Sequence, residues 1–109
     1  MLRLGELPAT GYVRATVGAH TVLVARLGDD VFAVENRCSH AGSELSGGRL
    51  KMGRLSCPLH GAMFDFRTGA SMGGTLALHG LRIFNVRVTG DEVAVADTPR
   101  PGLARAVGA

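Results

Sequence analysis

Two short motifs constrain this 109-residue chain more than any other feature, because they hold both of its cysteines and two of its four histidines. The first motif is C-S-H at positions 38–40, and the second is C-P-L-H at positions 57–60. Thiolates and imidazoles are the side chains that bind zinc and iron–sulfur clusters in proteins. Cys38, His40, Cys57 and His60 therefore form a candidate metal-ligand set.

The spacing of the four residues bears on which metal they bind. Structural zinc sites usually pair like with like, as C-x(2–4)-C and H-x(3–5)-H. Here each motif mixes one cysteine with one histidine, and Cys38 and His40 have a single spacer between them. A [2Fe–2S] cluster can instead take two cysteines on one iron and two histidines on the other, so each motif would serve both irons. The pattern favours such a cluster, with a single zinc ion as the alternative.

The residues around both motifs resemble a known family. The segments C-S-H-A-G-S-E-L-S at 38–46 and C-P-L-H-G-A-M-F-D-F-R-T-G at 57–69 are similar to the two cluster loops of Rieske proteins. More narrowly, they resemble the small Rieske ferredoxins of bacterial ring-hydroxylating dioxygenase systems, over roughly 6–97. The resemblance implies one [2Fe–2S] cluster, with Cys38 and Cys57 on the inner iron and His40 and His60 on the outer iron.

Short alternating runs of apolar and polar residues, separated by glycine-containing turns, predict strands. The predicted strands are Tyr12–Val17, Thr21–Arg26, Val31–Glu35, Leu81–Val88 and Glu92–Ala96. No long segment has the 3.6-residue period of a helix. We therefore expect an all-β sandwich or small barrel, and the resemblance implies a Rieske-type antiparallel β-sandwich.

The glycine-rich middle of the chain is expected to be a separate part of one domain, 1–109. Residues 36–75 contain few strand signals and predict a small, loop-built cluster-binding subdomain. The base sandwich would then consist of 1–35 and 76–97. The segment 98–109 contains two prolines and no strand pattern, and we expect a poorly ordered tail.

Composition argues against several classes of function. The net charge is only +3, and the aromatic residues are one tyrosine and four phenylalanines, which does not suggest nucleic-acid binding. The N-terminal residues show neither a signal peptide nor a membrane span. Cysteines paired with histidines suggest a reducing compartment, so we expect a cytoplasmic protein.

Several positions differ from other Rieske proteins. Respiratory-chain members carry a disulfide between the loops, where this chain has Ser43 and Leu59, and Ser and Tyr donors to the cluster, where it has Ala62 and Phe64. Neither of the last two side chains can donate a hydrogen bond. The reduced, more negative cluster is then less stabilised, so we expect a potential near the low end of the Rieske range of about −150 to +300 mV. The third loop, at 71–75, lacks the usual proline.

Charges near the motifs are mainly positive, and a basic surface would attract an acidic partner. The two histidines outside the motifs, His20 and His79, are not expected to be functional, and His20 is expected to be exposed in a turn. The basic residues between the motifs and around them are Arg37, Arg49, Lys51, Arg54 and Arg67.

These features predict a one-electron carrier. The resemblance implies that it passes electrons from an NADH-dependent flavin reductase to a terminal Rieske oxygenase in aromatic hydrocarbon catabolism. The chain itself is not expected to be an enzyme, since it has no nucleotide-binding G-x-G-x-x-G and no further 2-His-1-carboxylate set. The alternatives are the small subunit of an assimilatory NAD(P)H nitrite reductase and a zinc-stabilised interaction module.

Overall fold

A computed structural model describes residues 2–8, 11–37, 44–56, 63–72 and 81–100. These residues form ten β-strands and one short 3-10 helix, Leu4–Glu6. The strands are β1 (Leu2–Arg3), β2 (Val13–Val17), β3 (His20–Leu27), β4 (Asp30–Glu35), β5 (Leu50–Lys51), β6 (Arg54–Ser56), β7 (Met63–Asp65), β8 (Ser71–Met72), β9 (Ile83–Thr89) and β10 (Glu92–Arg100).

The strands belong to two antiparallel sheets. The large sheet has the order β1-β10-β9-β4-β3-β2, and the small sheet has the order β5-β6-β7-β8. The all-β prediction is confirmed, and the five predicted strands all occur, in the large sheet. None of the described helices is long and apolar enough to cross a membrane.

One hydrophobic core lies between the two sheets. In β3 and β4 the residues alternate between the two faces of the large sheet, so Leu23 and Val34 point to one side and Val22 and Val24 to the other. On the first side they pack against fully buried residues of the small-sheet region. This core contains Leu23, Ala25, Val34, Leu45, Leu55, Phe64, Phe66 and Leu81. Each large apolar side chain buried here contributes roughly 1.5–3 kcal/mol.

A second core covers the opposite face of the large sheet, which curls so that its two ends meet. Residues from β2 and β10, at or near opposite ends of the sheet, pack against the same buried cluster. The turn after β2 approaches β10 closely, since a Cβ on Gly18 would lie 3.3 Å from the Cβ of Asp97. The buried residues of this core are Leu7, Val22, Val24, Val31, Ala33, Phe84 and Val93.

The structure contains strand residues that the sequence did not predict, beginning with β1 at Leu2–Arg3. Within 36–75, the described residues include four strands, β5–β8, which at two or three residues each are too short to show an alternating pattern. Strand β10 continues to Arg100 beyond a register shift between Val95 and Pro99. A proline is tolerated in a strand at such an irregularity. Residues 101–109 of the predicted tail lie outside the described residues.

His20 begins β3 rather than lying exposed in a turn. It is half-buried, and its ring centroid is 5.4 Å from that of Phe84. The expectation of an exposed His20 was therefore wrong. The histidine is at the edge of the second core, where the Phe84 ring covers one part of it.

Candidate metal centre

The four predicted ligands lie outside the described residues, but both chain segments that contain them have described ends. Cys38 and His40 belong to the segment 38–43, which we call the first loop. Cys57 and His60 belong to the segment 57–62, the second loop. The positions of the ligand atoms stay a prediction, and the geometry below concerns the bases of the two loops.

A buried asparagine joins the residues before the first loop to the residues after it. Asn36, which follows β4, is 6% exposed. Its Oδ1 accepts hydrogen bonds from the backbone N–H groups of Leu45 and Ser46, both at 2.8 Å, and its Nδ2 donates to Ser46 Oγ at 3.3 Å. Burying these polar groups requires such partners. The chain just before the first loop and the chain just after it are therefore held side by side.

The second loop connects two paired strands. Ser56, at the end of β6, is opposite Met63, at the start of β7. Leu55 and Phe64, the next pair along, are both fully buried in the core between the sheets. The second loop thus lies in the chain between two paired antiparallel strands, whose positions are fixed by apolar packing.

A tight turn at 45–48 joins the two loop bases. Gly48 N–H donates to Leu45 O at 2.9 Å, and Ser56 N–H donates to Arg49 O at 2.9 Å. A Cβ at Gly48 would overlap the carbonyl oxygen of Ser56. Only glycine fits at this close approach of two backbone segments. The chain that follows the first loop and the chain that precedes the second are consequently in contact through Gly48.

The phenol of Tyr12 binds the same turn from the large-sheet side. Its hydroxyl donates to Gly48 O at 2.8 Å and accepts from Gly47 N–H at 2.9 Å. Sequence reasoning assigned Tyr12 only to a strand. Its partners lie 35 and 36 positions along the chain, so no local pattern could have indicated this contact.

The residues on either side of a third chain segment, 73–80, contact residues next to the two loops. Met72 of β8 is opposite Met63, next to the second loop. At the other end, Arg82 Nε lies 2.9 Å from Glu35 Oε2, and the Arg82 N–H donates to Glu35 Oε1 at 3.1 Å. Glu35 precedes the first loop, and its side chain is only 12% exposed. The described residues that flank the segment 73–80, which contains most of the predicted third loop, therefore pair with residues next to the second loop and next to the first.

The basic residues divide between two places. Arg37 and Arg49 are both exposed. Arg37 directly precedes the first loop, and the Arg49 N–H donates to Ser56 Oγ at the base of the second. Lys51 and Arg54 instead flank the Met52–Gly53 turn at the opposite end of β6. Arg67 lies near that turn too, with its guanidinium 5.9 Å from the Phe32 ring centroid. The structure therefore does not gather all five predicted basic residues around the loops.

This arrangement fits a cluster that takes one cysteine and one histidine from each of two loops. Each loop contains one cysteine and one histidine, and the described residues at the two loop bases are in contact, as a cluster shared by both loops requires. A match to the model of the Rieske [2Fe-2S] domain family over residues 1–85 agrees with this fit. The chain belongs to the Rieske [2Fe–2S] domain family, and this family carries one [2Fe–2S] cluster.

Within this family, similar individual proteins are ferredoxin components of dioxygenase systems. The chain is 35% identical over 78 residues to the anthranilate 1,2-dioxygenase ferredoxin subunit of Burkholderia cepacia, covering 72% of this chain and 71% of that protein. It is 37% identical over 91 residues to the biphenyl 2,3-dioxygenase ferredoxin component of Rhodococcus jostii (strain RHA1), with 84% of each covered. These relatives are electron-transfer subunits, so the prediction that the chain is not itself an oxygenase is confirmed.

Solved structures show the same fold. The ferredoxin of carbazole 1,9a-dioxygenase from Nocardioides aromaticivorans IC177 superimposes with a TM-score of 0.82 and 35% identity, covering 89% of this chain and 94% of that one. The chain also superimposes on a chain in the structure of a complex of reduced oxygenase and oxidised ferredoxin in carbazole 1,9a-dioxygenase. Its TM-score is 0.80 at 31% identity, with 90% of this chain and 91% of that chain covered. The predicted Rieske-type ferredoxin fold is therefore confirmed.

Proposed function

We propose that this protein is a soluble, cytoplasmic one-electron carrier between an NADH-dependent flavin reductase and the terminal Rieske oxygenase of a ring-hydroxylating dioxygenase system. The observation that carries this proposal is the likeness, over most of both chains, to ferredoxin components of such systems. One similar solved structure is a complex of oxygenase with ferredoxin. The direct recipient of electrons would accordingly be an oxygenase.

The predicted ligands suit this role. The bound cluster supplies a one-electron couple, and Cys38 and Cys57 would hold one iron while His40 and His60 hold the other. Neutral imidazoles in place of thiolates raise the potential above that of an all-cysteine cluster. Among the predicted neighbours, Phe64 is fully buried and carries no donor. This supports a potential near the low end of the Rieske range, which suits electrons that originate in NADH.

The surface beside the loops offers a contact area for a partner. Met63, the residue after the second loop, is 37% exposed, and Arg37 and Arg49 are exposed nearby. A flexible methionine adapts to different partner surfaces. Two guanidinium groups would speed association with an acidic partner surface. This combination supports partner docking at the loop end of the molecule.

Electron transfer between purified components tests the proposal. Candidate flavin reductases and oxygenases encoded near this gene are mixed with the holoprotein and NADH under anaerobic conditions, and reduction and reoxidation are followed by visible absorption. We expect rapid reduction by one reductase and reoxidation by one oxygenase. No transfer with any pair, together with copurification with a large haem-containing subunit, would instead support the nitrite reductase alternative.

Charge reversal at the loop end tests where the partner docks. At low salt, the double substitution Arg37→Glu and Arg49→Glu should slow reoxidation by an acidic oxygenase surface about three- to tenfold. Lys51→Glu with Arg54→Glu makes the same charge change at the opposite end of β6 and serves as the control. Equal slowing by both double variants would show that only overall charge matters and would contradict docking at the loop end.

A further inference from the structure

The two loop bases are joined by hydrogen bonds, in a chain that has no cysteine to spare for a disulfide. Both of its cysteines are predicted cluster ligands. The described residues instead show a connected set of contacts among Tyr12, Asn36, the turn 45–48 and Ser56, which we call the base clasp. Asn36 lies two residues before Cys38, and Ser56 lies one residue before Cys57. The clasp therefore fixes the chain immediately before each motif.

The geometry points to Tyr12 and Asn36 as positioning residues for the [2Fe–2S] centre, which keep the two ligand loops at a fixed separation. Neither side chain needs to contact the cluster for this role. Tyr12 binds the turn 45–48 from the large sheet, and Asn36 binds the same turn from the end of β4. Gly48, in this turn, lies against the backbone of Ser56. Movement of either loop base would have to break this set.

The hydroxyl of Tyr12 is the part of the clasp that can be removed with least disturbance. Its ring is half-buried and packs against the core between the sheets, which a phenylalanine ring would also do. Without the hydroxyl, Gly47 N–H and Gly48 O lose their partner. Leaving polar groups unpaired is the unfavourable part of such a substitution. Tyr12→Phe should therefore loosen the turn while the fold persists.

A looser turn has two measurable consequences for the bound cluster. Loops that separate more often expose the site to chelator, and we expect cluster loss to accelerate about tenfold. Water that enters the site favours the more negative, reduced form, so the midpoint potential should rise. Both effects concern the holoprotein itself and need no partner.

The test compares Tyr12→Phe with Val93→Ala in the full-length holoprotein. Val93 is fully buried in the second core, on the face of the large sheet away from the small sheet, so its truncation lowers stability without touching the clasp. The measurements are the rate of cluster loss to a chelator, the midpoint potential, and amide hydrogen exchange at Gly47. Only Tyr12→Phe should change all three.

A second pair of variants separates positioning from general stability. Asn36→Ala leaves the N–H groups of Leu45 and Ser46 without their acceptor, whereas Asn36→Asp keeps a carboxylate oxygen for both. Asn36→Asp also loses the Nδ2 donor to Ser46 Oγ and buries a charge, so we expect its cluster loss to be slower than that of Asn36→Ala but faster than that of the original protein. If Asn36→Asp loses its cluster as fast as Asn36→Ala, hydrogen bonding by residue 36 does not position the loop.

The inference is overturned if Tyr12→Phe matches Val93→Ala in cluster loss and potential. It is equally overturned if Gly47 exchanges faster while the cluster is unaffected, because the contact would then be structural only. Since it rests on the cluster and not on the proposed partners, a failure of electron transfer with reductase or oxygenase would leave it standing. The two ideas can therefore fail separately.

Discussion

The large sheet and the small sheet of this protein are stabilised by different kinds of interaction. In the large sheet, β3, β4 and β9 have six to eight residues and bury apolar side chains on both faces. In the small sheet, the strands have two or three residues, and their ends are fixed by a tight turn, a buried asparagine and a phenol. Apolar burial thus dominates in the large sheet, whereas the small sheet combines the buried Leu55 and Phe64 with polar and steric contacts at the bases of the two loops.

The largest effect is expected at Gly48, where the two loop bases touch. Gly48→Ala places a methyl group on the carbonyl oxygen of Ser56 and about 3.1 Å from that of Leu45. Backbone cannot move aside as a flexible side chain can, so we expect a loss of at least about 4 kcal/mol in local stability. Iron and acid-labile sulfide content should fall to near zero, as measured on purified protein.

Gly5→Ala is the matched control for this substitution. A Cβ at Gly5 would meet nothing within 4 Å, and its φ is not in the left-handed region. Its iron content and melting temperature should therefore equal those of the original protein. A Gly48→Ala protein with a full complement of iron would show that the two loop bases need not be in contact.

A second prediction compares the two faces of β3. Leu23 packs in the core shared by both sheets, and its neighbour Val24 packs in the second core, with both fully buried. Leu23→Ala should cost about 2–5 kcal/mol and Val24→Ala about 1–3 kcal/mol. Thermal unfolding should detect both changes.

Only the Leu23→Ala substitution removes contacts that hold the small sheet against the large one. At temperatures where both variants are folded, it should therefore speed cluster loss to a chelator, whereas Val24→Ala should not. Equal rates of loss in the two variants would contradict the division of roles between the two cores.

The alternating residues of the large sheet made most of its strands predictable. Val22 to Ala25 are all buried, so this stretch of β3 does not alternate between apolar and polar residues. It was still predictable as a strand, because turns that contain glycine lie on both sides of it. The same method missed β5–β8, since two or three residues do not define a period. It also ended β10 too early, because Pro99 follows a register shift that depends on the pairing with Phe84.

In the predicted site too, some residues could be identified from the sequence and others could not. The spacing of Cys38, His40, Cys57 and His60 indicated a cluster, and the family match supports one. The residues that hold the loop bases gave no such signal, because their contacts join distant positions. Tyr12 and Gly48 are 36 positions apart, and Glu35 and Arg82 are 47 apart. Only the fold brings these pairs together.

The smallest effect concerns the ion pair between Glu35 and Arg82, which links the first loop to the end of the segment 73–80. Because Glu35 is 12% exposed and accepts from both the side chain and the backbone of Arg82, we expect a coupling of about 1 kcal/mol. A double-mutant cycle of Glu35→Gln and Arg82→Gln measures this coupling from chemical denaturation.

The pair Arg3–Asp91 provides the control for that cycle. Its closest atoms are 3.1 Å apart, nearly as close, but its side chains are 71% and 70% exposed. Water and salt screen such a pair, so its coupling should be close to zero. Removing Arg82 should also speed cluster loss slightly, because the segment 73–80 is then less firmly joined to the first loop. If both cycles gave the same coupling, the Glu35–Arg82 pair would be an ordinary surface contact with no part in the placement of the loops.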